Sequence, residues 1–135
     1  MIQRLKALDL PAEDFAVHGS GPMLVAGLRS GIGDLDVVAR GRAWEKATEI
    51  GDMGRSKIKG NPVAKFWGGR IEVFSTWVTD GDDVSAMIDE AITVDGVRFV
   101  RLEQVLRYKQ LLRRAKDLPD IHAIEAYLRE YGGAA

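Results

Sequence analysis

A chain of 135 residues is long enough for one domain with a real core, because a chain of this size buries roughly two-thirds of its unfolded surface, and it leaves no room for a second full domain. Apolar residues at 46% and charged residues at 29% exclude a disordered or membrane-embedded composition, and a net charge of -1 argues against bulk electrostatic binding to nucleic acid or anionic membrane while allowing a local basic surface. The chain has no cysteine, which excludes disulfides, thiolate metal ligands and a cysteine nucleophile together.

The opening "MIQRLKALDLP" lacks the apolar core and small-residue cleavage site of a signal peptide. No apolar run approaches the length of a bilayer span, so the expectation is a cytoplasmic chain with no membrane partner. Ile2, Leu5 and Leu8 recur at helical spacing until Pro11 and predict a short helix. "FAVHG" predicts a strand ending in glycine. In "SGPMLVAGLRS" the spacing predicts a helix with Ser20 as its cap, Pro22 in its first turn, and Gly31 and Gly33 beyond its end. "DLDVVAR" predicts a strand, and "RAWEKATEIG" a helix stopped by Gly51.

Residues 55–77 hold "RSKIKG", "VAKFW" and "RIEVFSTW", three expected strands joined by tight turns at Gly-Asn-Pro and Gly-Gly. A helix over about 82–91 and a hairpin centred on Asp95-Gly96 follow. Leu102, Val105, Leu106, Lys109 and Leu112 share one helix face, Leu118, Ile121, Ile124 and Leu128 another, and "YGGAA" is expected to fray. The whole, residues 1–135, reads as a single mixed α/β or α+β domain with closing C-terminal helices.

The pair Asp34 and Asp36 needs a physical reason. Residues i and i+2 of a strand share a face, so two carboxylates about 6.5 Å apart at Cα repel by about 3 kcal/mol at an effective dielectric near 20. A solvated sheet edge tolerates that cost, whereas a divalent cation turns it into a gain, since magnesium takes carboxylate and phosphate oxygens. Glu72, in the apolar "RIEVF", offers a third acid. Upstream, "GSGP" after a strand and before a helix provides backbone amides and the Ser20 hydroxyl for an anion, although a capped turn has the same pattern. A phosphate cradle, one helix and a carboxylate pair on the next strand together match what a nucleoside triphosphate with its metal requires.

Other residues keep two readings. Lys109 lies on an apolar helix stripe, where its ammonium meets a phosphate or a carboxylate, or else snorkels to water. Asp117 and Asp120 suit the N-terminus of the last helix. Arg55, Lys57 and Lys59, and the run Arg98, Arg101, Arg107, Arg113, Arg114 and Lys116, are either solvated faces or surfaces that steer triphosphate or RNA. His18 has no metal-ligand partner spacing and reads as structural, and Trp44, Phe66, Trp67 and Trp77 read mainly as core.

Gly19-Ser20 followed by "IGDLDVV" and a later strand acid resembles the DNA polymerase β-type nucleotidyltransferase superfamily, with Glu72 standing where many members carry aspartate. "VLRYKQLLRRAKDLPDIHAIEAYL" is similar to the closing helices of the branch that holds AbiEii-type toxin and lincosamide-type antibiotic nucleotidyltransferases, Lys109 and the Asp117/Asp120 pair occupying the matching places. The resemblance spans about residues 17–128 and is that of a minimal member, without the additional helical domain of many relatives. It implies a nucleotidyltransferase fold, a mixed sheet flanked by helices. It also implies transfer of a nucleoside monophosphate from a nucleoside triphosphate to an acceptor hydroxyl of RNA, protein or a small molecule. Asp34, Asp36 and Glu72 would then hold magnesium or manganese, with Glu72 helping to deprotonate the acceptor, and Gly19, Ser20 and Lys109 would bind the nucleotide. The alternative is a non-catalytic nucleotide- and metal-binding subunit or sensor of the same fold that works with a protein partner or as a homo-oligomer.

Overall fold

The computed structural model describes residues 1–57, 59–78 and 82–131. Its seven strands are β1 (Phe15–His18), β2 (Leu35–Ala39), β3 (Asp52–Arg55), β4 (Pro62–Phe66), β5 (Ile71–Phe74), β6 (Ile92–Val94) and β7 (Val97–Phe99). Among the described residues the α-helices are α1 (Ile2–Ala7), α2 (Gly21–Val25), α3 (Gly41–Ile50), α4 (Val84–Asp89), α5 (Leu102–Leu112) and α6 (Leu118–Glu130). The strands make one mixed sheet in the order β3-β4-β5-β2-β1-β7-β6, with β2 parallel to β5, β1 parallel to β7, and the remaining neighbours antiparallel. Helices and strands thus build the mixed α/β domain that their alternation along the chain predicts. No helix among the described residues is long and apolar enough to cross a membrane.

The central strands have one face for each of two cores. Phe15 and Val17 of β1, Leu35 and Val37 of β2, and Ile71 and Val73 of β5 pack with Leu5 of α1 and Ala43 and Ala47 of α3. This is period-2 alternation, and it sends Ala16, His18, Asp36, Val38, Glu72 and Phe74 to the opposite face. There Ala16 and Val38 meet Val84, Met87 and Ile88 at the start and along the length of α4, together with Trp77, and Phe74 and Tyr108 pack at the margin. A third cluster, Met23, Leu102, Val105 and Ile124, ties α2 to α5 and α6.

Several boundaries differ from expectation. The first helix stops at Ala7 because Asp9 takes a left-handed backbone, φ 54°, before Pro11 is reached. The second helix is only five residues long, since Gly27 turns the chain at φ 78°. "RSKIKG" is not a strand: β3 ends at Arg55, and the Ser56 backbone bonds to Gly60 and Asn61 close a loop. Within that stretch Ile58 lies outside the described residues, as do residues 132–135 of the expected frayed end. Asp34 stands one residue ahead of β2 and is exposed.

Candidate active site

The sheet register carries a polar row across four strands on the face away from α1 and α3. His18 pairs with Asp36, Asp36 with Glu72, and Glu72 with Lys65. Neighbouring strands lie about 4.8 Å apart, so Asp36 and Glu72 are cross-strand like charges, an arrangement that destabilises a sheet unless something of opposite sign joins them. Lys65 Nζ reaches Glu72 Oε2 at 4.0 Å, a long and partly exposed pairing that offsets a fraction of the repulsion.

Asp36 shows the consequence. Burial, then the charge of Glu72, then that of Asp34 raise its pKa from 3.8 to about 6, against the opposing pull of Lys109 and Arg114. The three acids predicted from sequence are therefore in electrostatic contact, and all three line one cleft of about 330 Å³. That volume falls within the roughly 300–1,000 Å³ of small-molecule sites. The same cleft is lined by Phe74, Trp77 and Tyr108, and by the cationic side chains Arg55, Lys57, Lys59, Lys65, Arg114 and Lys116.

The turn after β1 meets this floor directly. Gly19 has φ 65°, and a Cβ built there would lie 2.8 Å from Asp36 Oδ2, so backbone conformation and space both demand glycine. Ser20 sits at the N-cap position of α2, yet its backbone is αR and its side chain makes no capping bond. Its Oγ instead faces Lys109 Nζ at 3.4 Å.

Lys109 is 4% exposed and its ammonium is held by Asp120 Oδ2 at 3.1 Å and Asp117 Oδ1 at 3.8 Å. Of the partners allowed by its position on an apolar stripe, the structure thus supplies carboxylates. Asp120 also accepts from Arg29 NH2 at 2.9 Å. Asp117 accepts a fork from Arg114, Nε to Oδ2 at 2.8 Å and NH2 to Oδ1 at 3.0 Å, plus the Arg114 backbone N–H. Neither aspartate caps α6 with its side chain. They hold a buried cluster that joins the loop after α2 to α5 and α6. Gly19 adjoins the Asp36 end of the cleft, with Ser20 and Lys109 next to it.

His18 is fully buried, accepts the Gly19 N–H on Nδ1 at 2.7 Å, and stacks on Trp77 with ring centroids 4.1 Å apart. Burial, then the Lys109 charge, lowers its pKa to about 3, so the ring is neutral and plays the structural part that its sequence context predicts. Of the four large aromatics considered, Trp77 serves both core and cleft, Phe66 is buried, and Trp67 is exposed beneath the Arg4 guanidinium.

Sequence reasoning did not single out Lys65 or Tyr108. Lys65 was visible as the polar position between Ala64 and Phe66, which both join the α1/α3 core or its edge. Tyr108 carries no local signal; it reaches the cleft through the packing of α5 over the sheet, with the Arg114 guanidinium 5.8 Å from its ring centre.

Among the described residues no group of three or more His, Cys, Asp or Glu side chains is placed to hold a metal ion. The acids make an open, oxygen-only floor instead. That donor set suits magnesium or manganese, because magnesium keeps waters and takes one or two carboxylates together with phosphate oxygens. Comparison of the chain with protein-family models, with curated proteins and with solved structures yields no match, so the geometry of this floor carries the functional argument by itself.

Proposed function

We propose that the protein is a nucleotidyltransferase of the polymerase β-like fold, transferring a nucleoside monophosphate from a nucleoside triphosphate to an acceptor hydroxyl. The observation that carries this reading is the cross-strand pairing of Asp36 with Glu72, beside Asp34 and against the Gly19 turn, in a cleft with cationic walls. Fold stability alone does not favour two like charges side by side on adjacent central strands.

In the reaction the acceptor oxygen forms a bond to the α-phosphorus while the bond from that phosphorus to the bridging oxygen breaks, and pyrophosphate leaves. A divalent cation bound at the floor supplies positive charge that neutralises the phosphates and favours ionised acceptor oxygen. Asp34 and Asp36 would hold that cation through their carboxylate oxygens, and Glu72, on the neighbouring strand, would help to hold it and take up the hydroxyl proton. Arg114 and Lys116 offset the charge of the departing pyrophosphate, and the Ser20 hydroxyl, oriented by Lys109, donates to the phosphate tail. Trp77, Phe74 and Tyr108 exclude water from one wall. Catalysis is then mostly positioning and charge compensation.

Incubation with triphosphates labelled at the α-phosphate, magnesium and a panel of acceptors tests the reading. Label transfer is expected, falling on the order of 100-fold or more in Asp36→Ala. Transfer unchanged in that variant would remove the mechanism. A non-catalytic nucleotide-binding role is favoured by one observation, the capture of Lys109 by two carboxylates. Magnesium-dependent nucleotide binding with no transfer to any acceptor would select it.

A further inference from the structure

We infer that Asp117 is a positioning residue that holds the Arg114 guanidinium as a two-pronged receptor for the oxygens of a polyphosphate. The inference rests on reading the cleft as a nucleotidyl-transfer site, and it assigns the phosphates to the planar guanidinium and not to any cation of equal charge.

The turn between α5 and α6 sets the geometry. Arg113 ends α5 in a left-handed conformation, φ 47°, which is unfavourable for a residue with a Cβ, and its N–H donates to the Lys109 carbonyl at 2.8 Å. The next four residues close on themselves. The Asp117 N–H donates to the Arg114 carbonyl at 2.8 Å, and the Arg114 N–H donates back to Asp117 Oδ2 at 3.0 Å. The same carboxylate accepts from Nε and NH2 of the guanidinium at 2.8 and 3.0 Å. One acid, 1% exposed, therefore fixes both the backbone and the side chain of Arg114.

A guanidinium carries five N–H donors in one plane, and the fork to Asp117 occupies its Nε–NH2 side. The NH1–NH2 edge lies next to it in the same plane. Among the described residues no carboxylate or backbone carbonyl meets NH1, and Arg114 lines the cleft with its side chain 37% exposed. The Tyr108 ring, its centre 5.8 Å from the guanidinium carbon, packs against the plane. Asp117 divides its charge between Arg114 and Lys109, whose Nζ lies 3.8 Å from Oδ1, so the fork orients the guanidinium without cancelling it. The field of Arg114 reaches Asp36, where with that of Lys109 it favours the ionised carboxylate. A fixed edge of parallel N–H groups beside the acids matches a pair of phosphate oxygens, whereas a lysine there supplies charge without direction.

The experiment is isothermal titration calorimetry of the full chain with inorganic tripolyphosphate, without nucleotide or divalent ion. Binding that weakens with salt is expected. Arg114→Lys keeps the charge and loses the fork, and its affinity should fall about tenfold. Asp117→Asn removes a negative charge and keeps the guanidinium, so attraction by charge alone would tighten binding, whereas lost positioning should weaken it by about fivefold or more. A merely structural pair would lower the unfolding free energy of these variants and leave the affinity of the folded chain unmoved in Arg114→Lys. No binding by the parent, affinity unaltered in Arg114→Lys, or tighter binding in Asp117→Asn would overturn the inference. Should Asp117→Asn fail to fold, Arg114→Lys decides alone. Because binding is read without chemistry, tripolyphosphate held in this way with no label transfer removes the proposed function alone. Label transfer with affinity unaltered in Arg114→Lys removes this inference alone.

Discussion

Asp36 and His18 face each other across β1 and β2 and bind protons with opposite consequences for stability. The folded pKa of His18, about 3, lies below its ordinary 6.5. The unfolded chain therefore takes up a proton first as pH falls, and the stability present above 6.5 is lost toward 3, costing about 2 kcal/mol at pH 5. Asp36 has a folded pKa of about 6, above its ordinary 3.8. Its contribution is fully present below 3.8 and is lost as pH rises through 6. Urea denaturation across pH should show His18→Gln losing the acid-side fall between 6.5 and 5. Asp36→Asn should be more stable than the parent near neutrality by on the order of 3 kcal/mol. A parent and Asn variant of equal stability at neutral pH would show that the carboxylate repulsion is already relieved. Gly19 adds a steric constraint at the same spot, since any side chain there collides with the Asp36 carboxylate.

At the scale of elements, α5 and α6 are joined by charge as much as by the apolar contacts of Val105 and Ile124. Lys109→Met should lower unfolding free energy by about 3 kcal/mol, because Asp117 and Asp120 would remain buried with Arg114 and Arg29 as their remaining cations. Lys109→Met/Asp120→Leu should recover part of that loss in a double-mutant cycle read by denaturant titration. The sequence displayed the elements well where a pattern is local: alternation marked β2 and β5, Pro22 marked the start of α2, and Gly51 the end of α3. It also placed Asp34, Asp36 and Glu72 on strands or at their edge. It could not display the polar row, because which residue of β5 opposes Asp36 depends on a parallel pairing between residues 36 apart in the chain, set by the burial of Ile71 and Val73. Lys109 was legible as an anomaly on an apolar stripe, and its partners were not, since helix-to-helix packing chooses between a phosphate and a carboxylate. The mistaken strand "RSKIKG" has the same origin: alternating residues extend a strand only where a neighbour offers a ladder, and the Ser56–Asn61 loop closes on itself.

For the whole molecule, an ion bound at the proposed site would couple binding to folding. On the proposed reading, magnesium held by the folded chain alone would raise the melting temperature, by an amount equivalent to about 1.4 kcal/mol when its concentration is ten times Kd. Differential scanning calorimetry near neutral pH should show this rise in the parent, a smaller one at pH 5 where Asp36 is largely protonated, and none in Asp36→Asn. A rise of equal size in the variant would place the ion elsewhere. The alternation of β5 has a further result. Ile71 and Val73 point into one core while Glu72 points to the cleft, so adding or deleting a single residue in the turn at 67–70 would drive the acid into hydrocarbon and expose both aliphatics. Evolution can exchange side chains in this strand one at a time, but it cannot change the length of that turn by one without forfeiting the core and the acidic cleft in the same step.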